Sequence, residues 1–188
     1  MNIEVEIKVK VDSLDEIRKK VEKIGKLVKA IRQVDEYYVP CQRDFFANKP
    51  HPIEWLRIRT NPDKSIFEYD LSINKKENGE QDSCEEYETE VSSPDELRKI
   101  LKFLDFKSVI TVDKHREYWQ CGDIEVALDH IEGLGDFIEA EANGDFSDVV
   151  EAKKVCIEFL ENLGIKDVRE KKIHKGYPAM LLEKMGKM

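Results

Sequence analysis

The first strand of this chain constrains its fold more than any other segment. Residues 3–11 read IEVEIKVKV, so an apolar side chain stands at every odd position and Glu4, Glu6, Lys8 and Lys10 stand at the even ones. Successive side chains of a β-strand point to opposite faces, so the pattern predicts a strand with one apolar and one ionic face. The ionic face fits either the solvated side of a half-buried antiparallel strand or a site for metal and phosphate. This segment alone leaves both interpretations open.

Length and composition predict one domain. The 188 residues suit a single domain of ordinary size, and no low-complexity linker divides them. We therefore expect one domain over residues 1–188. At 40% hydrophobic and 38% charged residues, the chain has enough apolar side chains for a core and carries many more ionic groups than a core alone explains.

Charge and hydropathy exclude several classes of partner. The net charge of −9 disfavours a nucleic-acid-binding protein, which usually carries a basic surface. No apolar run approaches the roughly 20 residues of a membrane span. The four cysteines are scattered without metal-ligand spacing, and the first residues lack the order of a signal peptide. We expect a cytoplasmic protein with free thiols, either a monomer or a homodimer, that binds neither nucleic acid nor membrane.

The remaining elements follow from periodicity and from helix and turn signals. The helix predicted at 14–24 has a capping box, Ser13 to Glu16, and the one after Ser93-Pro94 has a second. Two more helices are predicted at about 147–163 and from Tyr177. The further strands are predicted at 27–39, 55–59, 65–76, 86–91, 106–112, 114–120, 124–130 and 137–142.

Charged residues share one face on strand after strand. The sets with common parity are Glu4/Glu6/Lys8, Arg57/Arg59, Glu86/Glu88/Glu90, Lys114/Arg116, Glu125/Asp129 and Glu139/Glu141. Like charges two residues apart on a strand are tolerated on a solvated face, where water and salt screen them. Inside a concave sheet they need counter-ions: Mg²⁺ or Mn²⁺ for the carboxylates and phosphates for the basic residues. Parity alone leaves both possibilities open.

Further motifs follow Glu4-x-Glu6-x-Lys8 in order over nearly the whole chain. They are Gln33-x-Asp35-x-Tyr37-Tyr38, Arg43-Asp44-Phe45, Leu56-Arg57-Ile58-Arg59, the strand with Glu86, Glu88 and Glu90, Lys114-x-Arg116, Asp129, Gly133-Leu134-Gly135-x-Phe137-Ile138-Glu139-x-Glu141, and Tyr177. Glu4-x-Glu6-x-Lys8 alone is a weak match, but the motifs together and in order resemble the CYTH family, the triphosphate tunnel metalloenzymes. This family includes class IV adenylyl cyclases, thiamine triphosphatases and inorganic tripolyphosphatases.

The resemblance implies an α+β fold: a closed antiparallel β-barrel of about eight strands that forms a tunnel, with helices packed outside. It also implies a small-molecule triphosphate as substrate and Mg²⁺ or Mn²⁺ as cofactor. The implied metal ligands are Glu4, Glu6, Asp129, Glu139 and Glu141. The implied triphosphate ligands are Lys8, Arg57, Arg59, Lys114 and Arg116, with Glu88 positioning basic side chains. Lys175, which lies near Tyr177 in the sequence, is a further candidate phosphate contact.

One segment departs from the family pattern. The family's fourth strand ends in a run similar to L-T-x-K, whereas this chain has Leu71-Ser72-Ile73-Asn74-Lys75-Lys76. Lys76 shares the parity of Ser72 and Asn74, so it is favoured over Lys75 as the lysine that faces the tunnel.

Two reactions suit such a site. In a cyclase the ribose 3′-hydroxyl attacks the α-phosphate of ATP, and in a triphosphatase water attacks the terminal phosphorus with a Tyr37–Lys76 pair as general base. The positions implied for catalysis are Tyr37, Arg57, Lys76, Lys114 and Asp129. The Arg43-Asp44-Phe45 segment is more similar to class IV cyclases, so that reaction is favoured. Inorganic tripolyphosphatase, nucleoside or thiamine triphosphatase, and a non-catalytic triphosphate-binding module are the alternatives.

Overall fold

The computed structural model describes residues 5–47, 52–72, 84–143, 146 and 148–188. Its strands follow one another in groups that are separated by helices, an α+β order that the sequence predicts. The elements are β1 (Glu6–Val11), α1 (Asp15–Ile24), β2 (Lys26–Val39), β3 (Glu54–Thr60), β4 (Ser65–Ser72), β5 (Cys84–Glu90), α2 (Pro94–Phe103), β6 (Lys107–Cys121), β7 (Ile124–Ile131), β8 (Gly135–Ala142), α3 (Val149–Asn162), α4 (Val168–Lys171), β9 (Lys172–Ile173) and α5 (Tyr177–Lys184).

The strands form one nine-stranded antiparallel sheet. Their order is β5-β4-β3-β2-β6-β7-β8-β1-β9. The antiparallel α+β fold is therefore confirmed. Among the residues that the structure describes, no pairing joins the edge strands β5 and β9, so the closed barrel stays a prediction.

The chain divides into two compact units. The first unit contains the residues up to Ile31 together with Lys114–Ile173, and the second contains Arg32–Asp113 together with His174–Met188. Each unit has its own apolar cluster and its own ionic sheet face, and each is described separately below. The assignment of residues 1–188 to a single domain stays a prediction.

In the first unit, α1 and α3 pack on the apolar face of β1, β7 and β8. Val9 of β1, Val126 of β7 and Ile138 of β8 are fully buried there, together with Val21 of α1 and Leu160 of α3. Burying one such side chain contributes about 1.5–3 kcal/mol, so this cluster is a main source of stability for the unit. The odd–even pattern of the first strand correctly predicts this face.

In the second unit, α2 covers part of the sheet face formed by β2 and β3. The cluster contains Tyr38, Leu56, Ile58 and, from α2, Leu101, with Phe45 packed from the loop after β2. Arg98 of α2 also ties the helix to β2, since its guanidinium Nε donates a 2.9 Å hydrogen bond to Glu36. The helix and the sheet are thus joined by apolar and ionic contacts.

Several local predictions are wrong. The first helix has Leu14 as its N-cap, with no side-chain hydrogen bond, so the Ser13–Glu16 capping box does not form. The strands predicted at 106–112 and 114–120 are one strand, β6. Its central Asp113 accepts a 2.9 Å hydrogen bond from Arg32, so a charged residue is compatible with a continuous strand there.

Other elements were missed or lie partly outside the description. The short elements α4 and β9 were missed because they have no clear sequence signal. The strand β9 forms through its pairing with β1. The third helix begins at Val149 with Asp148 as N-cap, and its predicted start at residue 147 lies outside the described residues. The predicted strand residues 73–76 also lie outside them. None of the helices in the described ranges is long and apolar enough to cross a membrane.

Candidate functional site

The ionic face of the first unit is assembled by strand register. Directly opposed positions of an antiparallel pair point to the same face, with Cβ atoms about 4.5–5.5 Å apart. Lys8 of β1 lies opposite Glu139 of β8, and Glu6 lies opposite Glu141. Glu141 in turn lies opposite Glu125 of β7, and Arg116 of β6 lies opposite Asp129 of β7. Backbone pairing alone therefore brings the predicted residues of four strands onto one surface.

Glu139 is the centre of this surface. Its Oε1 lies 3.1 Å from Lys8 Nζ, and its Oε2 accepts a 2.5 Å hydrogen bond from Arg116 Nη2. Glu139 is 6% exposed and Lys8 is 7% exposed. Buried charges persist only when they are paired and hydrogen-bonded, and these three groups meet that condition.

Asp129 fixes the orientation of Arg116. The carboxylate is fully buried, and it accepts two hydrogen bonds from the guanidinium, one of them from Nε at 2.6 Å. The guanidinium also lies over the ring of Tyr118, with its carbon 5.4 Å from the ring centroid. A bidentate pair of this kind holds the guanidinium plane in one direction.

The neighbouring charges shift the pKa values on this face. Burial alone would raise the pKa of Glu139, but Arg116, Lys8 and Lys114 together bring it well below its ordinary value. The pKa of Glu6 is raised, mainly by the Glu139 carboxylate. Burial lowers the pKa of Lys8, but Glu139 and Glu6 outweigh it and the net shift is upward. Glu139 and Lys8 are therefore both charged at neutral pH.

The carboxylates of this face suit a hard divalent cation. Glu6 and Glu125 flank Glu141 across three adjacent strands, and the side chain of Glu6 is 51% exposed. Carboxylate oxygens are the donors that Mg²⁺ and Mn²⁺ prefer. A cation there would also relieve the repulsion between neighbouring carboxylates. The donor set therefore fits the predicted metal, while the predicted ligand Glu4 lies outside the described residues.

The second unit has an ionic face of its own, on β2, β3 and β4. Arg59 Nε donates a 2.8 Å hydrogen bond to Asp35, and Arg59 Nη2 donates a second one of 2.9 Å. Arg57 donates to Glu68, its opposite residue on β4. Both predicted phosphate-binding arginines are thus held by carboxylates that are almost fully buried.

Tyr37 lies beside Arg57 on this face. It is 3% exposed, and its hydroxyl accepts a 3.0 Å hydrogen bond from Arg57 Nη1. Burial raises the pKa of Tyr37 to about 12, against the lowering effect of Arg57. The phenol is therefore protonated at neutral pH, so a role in positioning Arg57 suits it better than a role as general base.

Sequence reasoning missed the carboxylates of β4. The side chains of Glu68 and Asp70 lie on the same face of the sheet as Arg57, and both are buried. Burial raises the pKa of Asp70 to about 8, and the Glu68 carboxylate adds to the rise. Their i, i+2 spacing in a strand is the signal that could have identified them.

The other predicted residues are placed as follows. Lys114 of β6 is 4% exposed, on the same face as Arg116. Glu88 is exposed on β5, opposite Glu68. Lys175 precedes α5, and its Nζ donates a 2.6 Å hydrogen bond to Glu183. Lys75 and Lys76 lie outside the described residues, so which of them faces the site stays a prediction.

Comparison with known proteins decides the family. Residues 2–177 match the family model described as the CYTH domain. The chain belongs to the CYTH family. The resemblance inferred from the order of the sequence motifs is thereby confirmed, and the two ionic faces are features of a CYTH protein.

Two relatives match this CYTH protein along nearly its full length. A Methanocaldococcus jannaschii protein named "Putative adenylate cyclase" is 35% identical over 178 residues, which are 93% of this chain and 96% of that protein. The solved structure of the PH1819 protein from Pyrococcus horikoshii has a TM-score of 0.76 and 31% identity, covering 96% of this chain and 99% of that one.

A more distant solved structure shares the fold. It is named "Putative adenylyl cyclase HpAC1 from Hippeastrum", and its TM-score is 0.65 at 17% identity. The match covers 100% of this chain and 97% of that one. The CYTH fold is therefore retained at low sequence identity.

Proposed function

We propose that this CYTH protein is a divalent-metal-dependent enzyme that acts on a triphosphate, most specifically a class IV adenylyl cyclase that converts ATP to cyclic AMP and pyrophosphate. The observation that carries the proposal is the buried network of Lys8, Arg116, Asp129 and Glu139 on one sheet face. Solvated strand faces do not need such a network. The 35% identity to the Methanocaldococcus jannaschii protein supports the cyclase assignment.

In this proposal, Glu6, Glu139 and Glu141, with Glu4, would hold Mg²⁺ or Mn²⁺. A metal held there would supply positive charge to neutralise the triphosphate oxygens. Lys8, Lys114 and Arg116 bind the phosphates, and Asp129 holds the Arg116 guanidinium in the orientation that this needs. Asp129 is then a positioning residue for Arg116 in addition to its predicted place among the metal ligands.

The cyclase reaction is an in-line displacement. The 3′-hydroxyl gives its proton to solvent water and forms a bond to the α-phosphorus, while the bond between that phosphorus and the oxygen bridging to the β-phosphate breaks and pyrophosphate leaves. Phosphoryl transfer depends mostly on positioning and charge neutralisation. Fixed lysine and arginine side chains supply both, because burial and carboxylate partners restrict their motion.

Triphosphate hydrolysis is the second candidate function. The Hippeastrum relative is described as having a dominant triphosphatase activity, and it shares the CYTH fold. The same phosphate ligands would serve hydrolysis, with water replacing the 3′-hydroxyl. The protonated state of Tyr37 does not favour hydrolysis through a tyrosine base.

The test is to incubate the purified protein with Mg²⁺ or Mn²⁺ and one substrate, either ATP or tripolyphosphate, in separate reactions. Cyclic AMP with pyrophosphate from ATP supports the cyclase, and orthophosphate from tripolyphosphate supports the hydrolase. An Arg116→Ala variant should lose the activity, whereas Glu158→Gln, an exposed change on α3, should keep it. If ATP binds and neither product forms, the protein is a triphosphate-binding module and the enzyme proposal is wrong.

A further inference from the structure

A second group of carboxylates converges in the second unit. Glu68 and Asp70 of β4 and Glu86 of β5 each offer an oxygen, and these oxygens all lie within 4.8 Å of one another. Asp70 lies directly opposite Glu86 in the strand register, and Glu68 is two residues from Asp70 on the same face. The backbone geometry of two paired strands therefore holds the three ligand positions together.

Asp70 provides a second, separate observation. It is 9% exposed, and its Oδ1 is buried without a hydrogen-bond partner in the part of the chain that the structure describes. A buried acceptor without a hydrogen bond is unfavourable for folding, because it has lost its water and gained no partner. Such an atom is a ligand position that the protein groups on β3, β4 and β5 do not fill.

One guanidinium serves two carboxylates of β4. Arg57 contacts both Glu68 and Asp70, and its Nη2 lies 3.6 Å from Asp70 Oδ2. Arg59 is engaged mainly by Asp35. A divalent cation beside Asp70 would add positive charge where Glu68 and Asp70 share one arginine.

We propose that Glu68, Asp70 and Glu86 bind one hard, oxygen-liganded divalent cation of the Mg²⁺, Mn²⁺ or Ca²⁺ class. Such ions take oxygens at roughly 2.0–2.6 Å, so ligand oxygens up to about 5 Å apart can share one ion. Glu86 is exposed, so the ion reaches the buried Asp70 from solvent. The site shares no residue with the metal site proposed on the first unit, and it does not depend on the reaction proposed above.

Trp55 provides a local probe of this site. It lies directly opposite Asp70 on β3, and its ring packs edge-on against Tyr37, with the ring centroids 5.4 Å apart. The experiment titrates MnCl₂ into protein free of nucleotide and follows the Trp55 indole N–H signal by NMR, with calorimetry for the affinity. Paramagnetic Mn²⁺ bound beside Asp70 should broaden the Trp55 signal at less than one ion per chain.

Asp70→Asn and Glu86→Gln are the test variants. Each should weaken this binding by about tenfold or more, because a charge-assisted contact is worth about 1.5–3 kcal/mol. Glu85→Gln is the matched control, because it removes the same charge from the same strand on the opposite face, and it should bind as the wild type does.

Two outcomes would overturn the proposal. In the first, Trp55 is not broadened in the wild-type protein, which means that a proton or a protein cation neutralises the carboxylates. In the second, Trp55 is broadened equally in both test variants, which means that Mn²⁺ binds elsewhere. If Asp70→Asn does not fold, Glu86→Gln decides the question, because Glu86 is exposed and its replacement leaves the buried face intact.

Discussion

Lys8 and Glu139 face each other across β1 and β8, with Nζ and Oε1 3.1 Å apart and both side chains 8% exposed. Glu139 also accepts from Arg116. Replacing this one carboxylate therefore leaves two buried cations without their shared partner. We predict that Glu139→Gln lowers the free energy of unfolding by about 3–5 kcal/mol, as measured by urea denaturation at neutral pH.

A matched exposed pair provides the control for this prediction. Glu158 on α3 lies 3.7 Å from Lys154, and both side chains are more than half exposed. Exposed pairs are worth about 1 kcal/mol or less, so Glu158→Gln should change the stability by no more than that. Equal stability of the two variants would show that the Lys8–Glu139–Arg116 network contributes little.

Acid should remove the contribution of Glu139. Its pKa in the folded protein lies below the ordinary value of 4.5, so between these two values the unfolded chain binds more protons. The stabilisation is therefore fully present above pH 4.5 and declines as the pH falls below it. We predict that stability falls more steeply with acid in the wild type than in Glu139→Gln, as measured by thermal unfolding at pH 3–6. Parallel curves would contradict this.

Period-two alternation predicted which face of each strand is ionic, because backbone geometry alone sets that face. Val9 and Lys8 point to opposite sides of β1 whatever surrounds them. The apolar core of the first unit and the surface around Glu139 could therefore be predicted from sequence. The family could also be predicted, because its motifs occur in a fixed order along the chain.

Partner choice and local helix ends could not be predicted in this way. Glu68 and Asp35 engage Arg57 and Arg59, and these carboxylate partners were not predicted, while phosphate binding by the two arginines stays a prediction. Such pairings depend on register between strands, which alternation does not specify. The N-cap at Leu14 depends on Asp136, which accepts a hydrogen bond from the Leu14 N–H at 3.3 Å from a position 122 residues away in sequence.

Tyr37→Phe tests whether the Tyr37 phenol acts as a base. The pKa of Tyr37 is raised to about 12, so the hydroxyl stays protonated over the usual assay range. Loss of the charge-assisted hydrogen bond that Arg57 donates should lower kcat by about 10–100-fold and leave the shape of the pH–rate profile unchanged. A general base would cost about 10²–10⁴-fold and alter the alkaline limb. The measurement is kcat against pH, from the formation of cyclic AMP from ATP or of orthophosphate from tripolyphosphate.

Gly25 ends α1 where the chain passes close to β6. A Cβ at this position would lie 2.9 Å from the Gln120 carbonyl oxygen and would overlap Cys121 Sγ. We predict that Gly25→Ala costs about 1–3 kcal/mol of stability. Adding Cys121→Ala should recover part of the loss, because only the backbone overlap then remains.

Gly176 is the control for this change. A Cβ there would meet Pro178 Cδ at 3.5 Å, which is an ordinary contact. Gly176→Ala should therefore cost less than about 1 kcal/mol, the typical effect of an N-cap change. If both alanine variants are equally stable in urea, close packing does not explain the glycine at position 25.

Leu160 and Val150 test the assignment of the faces of α3. Leu160 is fully buried against the sheet, whereas Val150, on the same helix, is 75% exposed. Leu160→Ala removes buried methyl groups and leaves a cavity, so it should cost about 2–5 kcal/mol. Val150→Ala should change stability by no more than about 0.5 kcal/mol. Urea denaturation of both variants measures the difference, and similar losses in the two would mean that α3 does not pack on the apolar sheet face as described.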